Sequence, residues 1–210
     1  MIHIEKSVGT IWLDSAEQKY KDYFTMKQDE KNKEINNNGW RELRKHLVDE
    51  QAKLCGYCCA EITVDKSHIE HLKCKDIHKD LSLDYHNLIA SCNTDSTCGN
   101  AKKNDDSDIV FPTDDDCEQQ FEFNYFDGRI IGLTDKAERT IKVLNLNSYG
   151  LKEARKAILK QACYYPSDGV KSLFVENAYN FCDIVRYAWR QNSIKWNDVS
   201  RLINGLGVLA

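Results

Sequence analysis

"CGYCCAEITVDKSHIEHLKCKDIHKDLSLDYHNLIASCNTDSTCGNAKKN", residues 55–104, holds six of the chain's nine cysteines and four of its six histidines. Cys55 and Cys58 stand in C-x2-C spacing, and Cys92 and Cys98 form a second pair with five residues between them. A C-x2-C turn sets two sulfurs on one side of a tight loop. A second pair from a separate segment can then close a four-thiolate structural zinc site. Such a site supplies on the order of 10 kcal/mol, which becomes folding energy for a loop-rich region. The plain alternative is a set of buried thiols, since cysteine packs as a small hydrophobe. The pairing and the polar surroundings favour the metal. Cys59 could replace its neighbour Cys58, while Cys74, Cys117, Cys163 and Cys182 read as packing residues.

Outward from this stretch, composition sets limits. The chain has 210 residues, 41% apolar and 30% charged, which suits a globular protein with a proper core. No apolar run approaches the roughly 20 residues a bilayer crossing needs, so no membrane contact is expected. The start, "MIHIEKSVGTIWLD", lacks a secretion-signal pattern. A cytoplasmic chain is the expectation, and there an odd cysteine count favours metal ligation over disulfides. A net charge of −4 argues against non-specific coating of nucleic acid.

Residues 15–35 are polar and helix-tolerant, and "NNNG" at 36–39 is expected to break them. From Trp40 a helical stripe runs through Leu43, Leu47 and Leu54. "EITVD" (61–65) has the β-branched content of a strand. Positions 81–92 read as a return ending in the apolar "NLIASC", and a short helix follows Cys98. Residues 104–128 carry nine acids and no Lys or Arg. That run is a solvated loop, or else a charge that keeps nucleic acid off until a partner covers it. "QQFEFNYFDGRI" predicts a hairpin turning at Asp127-Gly128. Two helical stripes follow, Leu151, Ala154, Ile158, Ala162 and then Phe174, Ala178, Phe181, Val185, Trp189.

Between the cysteine pairs lie "HIEHLKCK" and "DYHNLIASC". With "CGYC" and "CGNAKK", these resemble the HNH (ββα-metal) endonucleases, in the version clamped by a four-cysteine zinc. The flanks "WRELRKHLVDEQAKLCGYC" and "FEFNYFDGRIIGLTDKAERTIKVLNLNSYGLKEAR" resemble the narrower PtuB-type proteins of Septu and retron-associated anti-phage systems. The likeness covers roughly residues 40–160. It implies an α+β fold: a zinc-clamped ββα-metal core with N- and C-terminal helical flanks. The divisions expected are a helical segment over 1–54, the core with its four-cysteine zinc over 55–111, an acidic loop and hairpin over 112–133, and a helical region over 134–210, in one compact unit.

The resemblance also assigns roles. His71 is the general base, and a neutral imidazole with a pKa near 6.5 suits that work. Glu70 binds a catalytic Mg²⁺ or Mn²⁺, and Asn87 fixes the hairpin loop and the ring of His71. Zn²⁺ is scaffold, held by Cys55, Cys58, Cys92 and Cys98. Glu70 stands where many relatives carry Asp, and Cys74 where proline is common. Gly99 occupies the third motif position and has no ligand side chain. Asn100 is the nearest replacement and Asn104 the next. Lys102 and Lys103 could hold phosphates or simply be solvated. His71 could instead join the zinc, or be an ordinary surface histidine. His68, on the opposite strand face from His71, reads as structural, and His78 and His86 as loop histidines. The implied partners are a nucleic-acid substrate, a PtuA-type ABC/SMC-like ATPase and, in a retron, its reverse transcriptase and msDNA. A different class of function is a zinc-stabilised adaptor that binds nucleic acid or the ATPase and cuts nothing.

Overall fold

The computed structural model describes residues 1–124 and 126–164, the last seven of these by backbone alone. Helices α1 (Ile11–Lys19), α2 (Tyr23–Lys27) and α3 (Lys33–Glu50) come first. Thr10 and Asp22 cap the first two, accepting from the backbone N–H groups of Leu13 and Thr25. The expected break at "NNNG" does not occur, and α3 runs straight through it. Tertiary contacts override the weak helix propensities there. Asn36 is buried and donates to the Tyr20 hydroxyl and the Met26 carbonyl. Gly39 lets the Trp12 ring lie against the helix, where a Cβ would stand 2.0 Å from Trp12 Cδ2.

Leu43 and Leu47 are fully buried on α3, which packs on an antiparallel pair, β1 (Ser67–His71) and β2 (Leu88–Cys92). Leu54, the last member of the predicted stripe, lies past the helix end in an isolated bridge to Glu61. "EITVD" contributes only that bridge, and the strand begins at Ser67. The register pairs Ser67 with Cys92 and His71 with Leu88. β2 is buried along its whole length, in contact with both α3 and α4 (Cys98–Lys102). That explains its unbroken apolar reading. The Gln51 side chain, just beyond α3, bonds to Ala90 twice. Its Nε2 donates to the Ala90 carbonyl (2.9 Å), and its Oε1 accepts from the Ala90 N–H (2.6 Å).

The predicted hairpin is present as β3 (Phe121–Phe123) and β4 (Ile130–Gly132), with Gly128 at φ +69°. Helices α5 (Asp135–Val143) and α6 (Tyr149–Tyr164) follow. Arg155 on α6 is buried and donates to the Gly128 and Leu146 carbonyls, tying the hairpin turn to the helices. The stripe from Leu151 to Ala162 falls on α6; the one from Phe174 to Trp189 lies outside the described residues. One cluster of buried residues extends from Met1 to Leu146, so these elements share a core. No helix among the described residues is long and apolar enough to cross a membrane.

Candidate functional site

The turn after α3 carries Cys55 and Cys58, closed by Cys59 N–H donating to the Cys55 carbonyl. Cys92 ends β2, and Cys98 opens α4. All four are buried, and their sulfurs lie within 4.8 Å of one another. Cys58 Sγ and Cys92 Sγ are 4.0 Å apart. Zinc at ~2.3 Å from each sulfur sets tetrahedral edges of ~3.8 Å, so this donor set fits that ion. The Cys92 N–H points at Cys55 Sγ (3.4 Å), support that thiolate ligands commonly have. Hydrogen bonds from Cys55 and Cys58 hold the Cys92 thiol far below its usual range, while Cys55 and Cys58 push Cys98 well up. Four thiols sharing so small a space compete for negative charge, and a dication removes that conflict. Cys59 and His71 stand outside the cluster, and Cys74 and Cys117 are buried in packing positions. Neither Cys163 nor Cys182 has a described side chain.

The four cysteines join the turn after α3, the end of β2 and the start of α4, and so fix what β1 presents. His71 is 6% exposed and its ring is turned inward, near-parallel to Trp40 at 6.3 Å between centroids and edge-on to Tyr23 at 6.0 Å. Its Nε2 lies 3.0 Å from the Ser82 carbonyl oxygen. A carbonyl only accepts, so Nε2 carries the proton and Nδ1 is the basic nitrogen. Burial lowers the pKa of His71 to about 4, with the Lys75 charge adding to the effect and the Ser82 carbonyl opposing it. That is below the value near 6.5 expected of an unperturbed ring.

Asn87 holds the loop that supplies Ser82. Its Oδ1 accepts from Lys73 N–H (2.7 Å), and its Nδ2 donates to the carbonyls of Lys73 (3.0 Å) and Leu81 (2.9 Å). Position 81 is thereby pinned beside the residue that orients the imidazole.

Glu70 points to the other face of β1. Its Oε1 takes Lys102 Nζ at 2.9 Å and the Tyr57 hydroxyl at 3.4 Å, while its Oε2 faces His68 Nε2 at 3.5 Å. Burial opposes its charge, yet His68 and Lys102 outweigh that and hold the carboxyl below the usual range. Burial likewise opposes the charged form of His68, and Glu70 reverses the balance, raising its pKa. The expectation that Lys102 holds phosphate is corrected here. Its side chain is buried, and its ammonium is engaged by Glu70 and by the His71 carbonyl (3.0 Å). Lys103 is exposed at the end of α4. Asn100 directs its Nδ2 to the Thr94 carbonyl (3.2 Å), and Asn104 directs its own to Asp76 (3.0 Å). His78 faces Asp106 at 3.7 Å, and His86 is exposed.

Glu70, His68, His71, Gly99, Asn100 and Asn104 line one open cleft of about 230 Å³. A larger hollow, about 340 Å³, lies between residues 2–5 and the Cys55 turn. Convergent polar groups rather than volume mark the first as the candidate site. Two participants had no signal in the sequence. Ser82 acts through its backbone, and Tyr57 reads there as a spacer between cysteines. The pairing of His68 with Glu70 was readable, since residues two apart share a strand face.

These features define an α+β protein with a thiolate pocket able to hold zinc, bracing a hairpin and a short helix beside an imidazole–carboxylate cleft. The chain is similar to a Vibrio cholerae protein named "Retron Vc95 putative HNH endonuclease", at 31% identity over 136 residues. The matched part is 58% of this chain and 65% of the relative, so the chain spans under two thirds of that protein's length. No family model matches the sequence.

Proposed function

We propose that the chain is a metal-dependent HNH endonuclease that hydrolyses nucleic-acid phosphodiester bonds, with β1, β2 and α4 as a zinc-clamped ββα-metal core. The observation that carries this reading is the oriented imidazole. His71 is held at one nitrogen by a carbonyl in a loop that Asn87 pins, and it lines the cleft that contains the Glu70 carboxylate. A base needs a bare nitrogen, a fixed ring and a neutral state at working pH, and all three are present. Nδ1 takes the proton from the attacking water, while the Ser82 carbonyl and the walls of Trp40 and Tyr23 keep the ring from turning. The low basicity of the empty cleft rises when an anionic phosphodiester lies there, because a nearby negative charge favours the imidazolium. Mg²⁺ or Mn²⁺ bound at Glu70 would supply charge neutralisation at the scissile phosphate and the departing oxygen. Lys102 fixes that carboxylate in its ionised form, and Lys103 is the exposed cation available to the nucleic-acid backbone.

The name of the Vibrio relative refers to a retron. With the PtuB-like flanks, it supports reading this chain as the effector of a bacterial anti-phage system of Septu or retron type. There it would work in the cytoplasm beside a PtuA-type ATPase and, in a retron, with the reverse transcriptase and msDNA. Gly99 and the Lys102–Glu70 pair favour a second reading, an adaptor that binds nucleic acid or the ATPase without cutting. The two part on one substitution. Together with a PtuA-type ATPase, in phage-infected cells, the intact chain should generate new nucleic-acid ends that end-sequencing detects. His71→Ala should abolish both these ends and the protection, with zinc content unchanged. Continued cutting or protection by that variant would overturn the catalytic role of His71.

A further inference from the structure

We propose that His68 is the second protein ligand of the divalent-cation site, coordinating through Nε2 beside Glu70 Oε2, in the space that Gly99 leaves open. The inference rests on the nuclease reading above and specifies the metal shell it requires. His68 and Glu70 are two apart on β1, so both project to one face. Nε2 and Oε2 are 3.5 Å apart. Cis ligands of an octahedral cation at ~2.1 Å stand ~3.0 Å apart, so a small ring rotation closes the difference.

The ring is already oriented. His68 Nδ1 lies 2.9 Å from Asn93 Oδ1, an atom that only accepts, so Nδ1 carries a proton. Its other nitrogen, Nε2, is thereby the one turned to Glu70 Oε2. A ring whose far nitrogen donates to an amide oxygen is also the usual posture of a metal-bound histidine.

Gly99 supplies the room. A Cβ there would lie 2.7 Å from both Glu70 Oε2 and His68 Nε2. The glycine that removes the expected helix ligand therefore opens the gap that a strand imidazole reaches. Asn100 and Asn104 direct their amides elsewhere. Glu70 Oε1 is held by Lys102 and Tyr57, so Oε2 is the oxygen left for a cation. A site with two protein ligands suits Mg²⁺ or Mn²⁺, which keep several waters and gain phosphate oxygens from substrate.

The test uses the full chain with its zinc retained and Mn²⁺ as probe. Pulsed electron spin resonance of the Mn²⁺-loaded protein should show coupling to one imidazole ¹⁴N, and His68→Ala should remove it. The same variant should weaken Mn²⁺ binding about tenfold or more by calorimetry, with zinc content and circular dichroism unchanged. Gly99→Ala should weaken Mn²⁺ similarly while leaving His68 in place. His71→Ala should leave both the coupling and the affinity as they are, since that ring is held by the Ser82 carbonyl, Trp40 and Tyr23 and not by Glu70 Oε2. An unchanged ¹⁴N signal in His68→Ala, no such signal in the intact chain, or no Mn²⁺ binding at millimolar metal would each overturn the assignment. Loss of the signal in His68→Ala together with persistent cleavage by His71→Ala would instead overturn the catalytic reading and leave the metal site standing.

Discussion

Asn87 is where the loop between β1 and β2 is most exposed to a single substitution. Asn87→Ala deletes three hydrogen bonds, at 2.7, 3.0 and 2.9 Å, in a residue that is 5% exposed. At about 1 kcal/mol net for each, and with some of the stranded groups rehydrated, the loss should be about 3 kcal/mol. Asn87→Asp separates geometry from size. It keeps the acceptor for Lys73 N–H but turns a carboxylate oxygen toward the carbonyls of Lys73 and Leu81. At pH 7 it should be at least as destabilised as the alanine variant. Its carboxyl is favoured protonated in the fold, so its deficit relative to wild type should shrink as pH falls toward about 4, where the unfolded group protonates as well. Urea unfolding with zinc retained, followed by tryptophan fluorescence, measures both variants, and an unchanged slope keeps the comparison valid. In either variant the ¹⁵N shifts of His71 should lose the signature of a single fixed tautomer. An aspartate variant as stable as wild type, or an alanine loss under about 1 kcal/mol, would refute the pinning argument.

Other outcomes follow from the same contacts. His71 is neutral in the fold with its pKa lowered to about 4, so below about 6.5 the unfolded chain binds the proton first. Stability is therefore unaffected by this group above pH ~6.5 and falls between about 6.5 and 4, by about 3 kcal/mol at most; urea midpoints of wild type should drop relative to those of His71→Phe across that window. Gly39→Ala drives a methyl group into the Trp12 ring and should cost about 1–3 kcal/mol by thermal melting, despite alanine's better helix propensity. Cys92→Ser should lower bound zinc, read by elemental analysis, and remove amide protection across Ser67–His71 and Leu88–Cys92; chelation of the wild-type chain should reproduce that exchange pattern.

Much of this was legible in the sequence because it is local. The cysteine spacing picked out the four sulfurs that the fold gathers, and the Asp127-Gly128 turn identified the second hairpin. The start of α4 was likewise marked by Cys98. What escaped depends on contacts distant in sequence. "NNNG" carries every sign of a break, yet Trp12 and Tyr20 supply surfaces on which it stays helical. "EITVD" has strand composition but no partner strand, whereas "SHIEH", with weaker propensity, finds one in β2. Lys102 beside Lys103 looks like a solvated pair, and only the fold shows one ammonium turned inward onto Glu70. The meaning of Gly99 is also visible only in three dimensions, because a missing side chain says nothing of what fills its place.

Gln51 has an effect that reaches past the site. Its carboxamide meets Ala90 as a peptide group would, donor to acceptor and acceptor to donor, so the outer edge of β2 faces a one-residue imitation of a neighbouring strand. Sheet margins with open amides invite other chains to pair and stack into fibres. Here the invitation is withdrawn at the middle of β2 without burying a third strand, which lets so small a sheet remain a solitary pair.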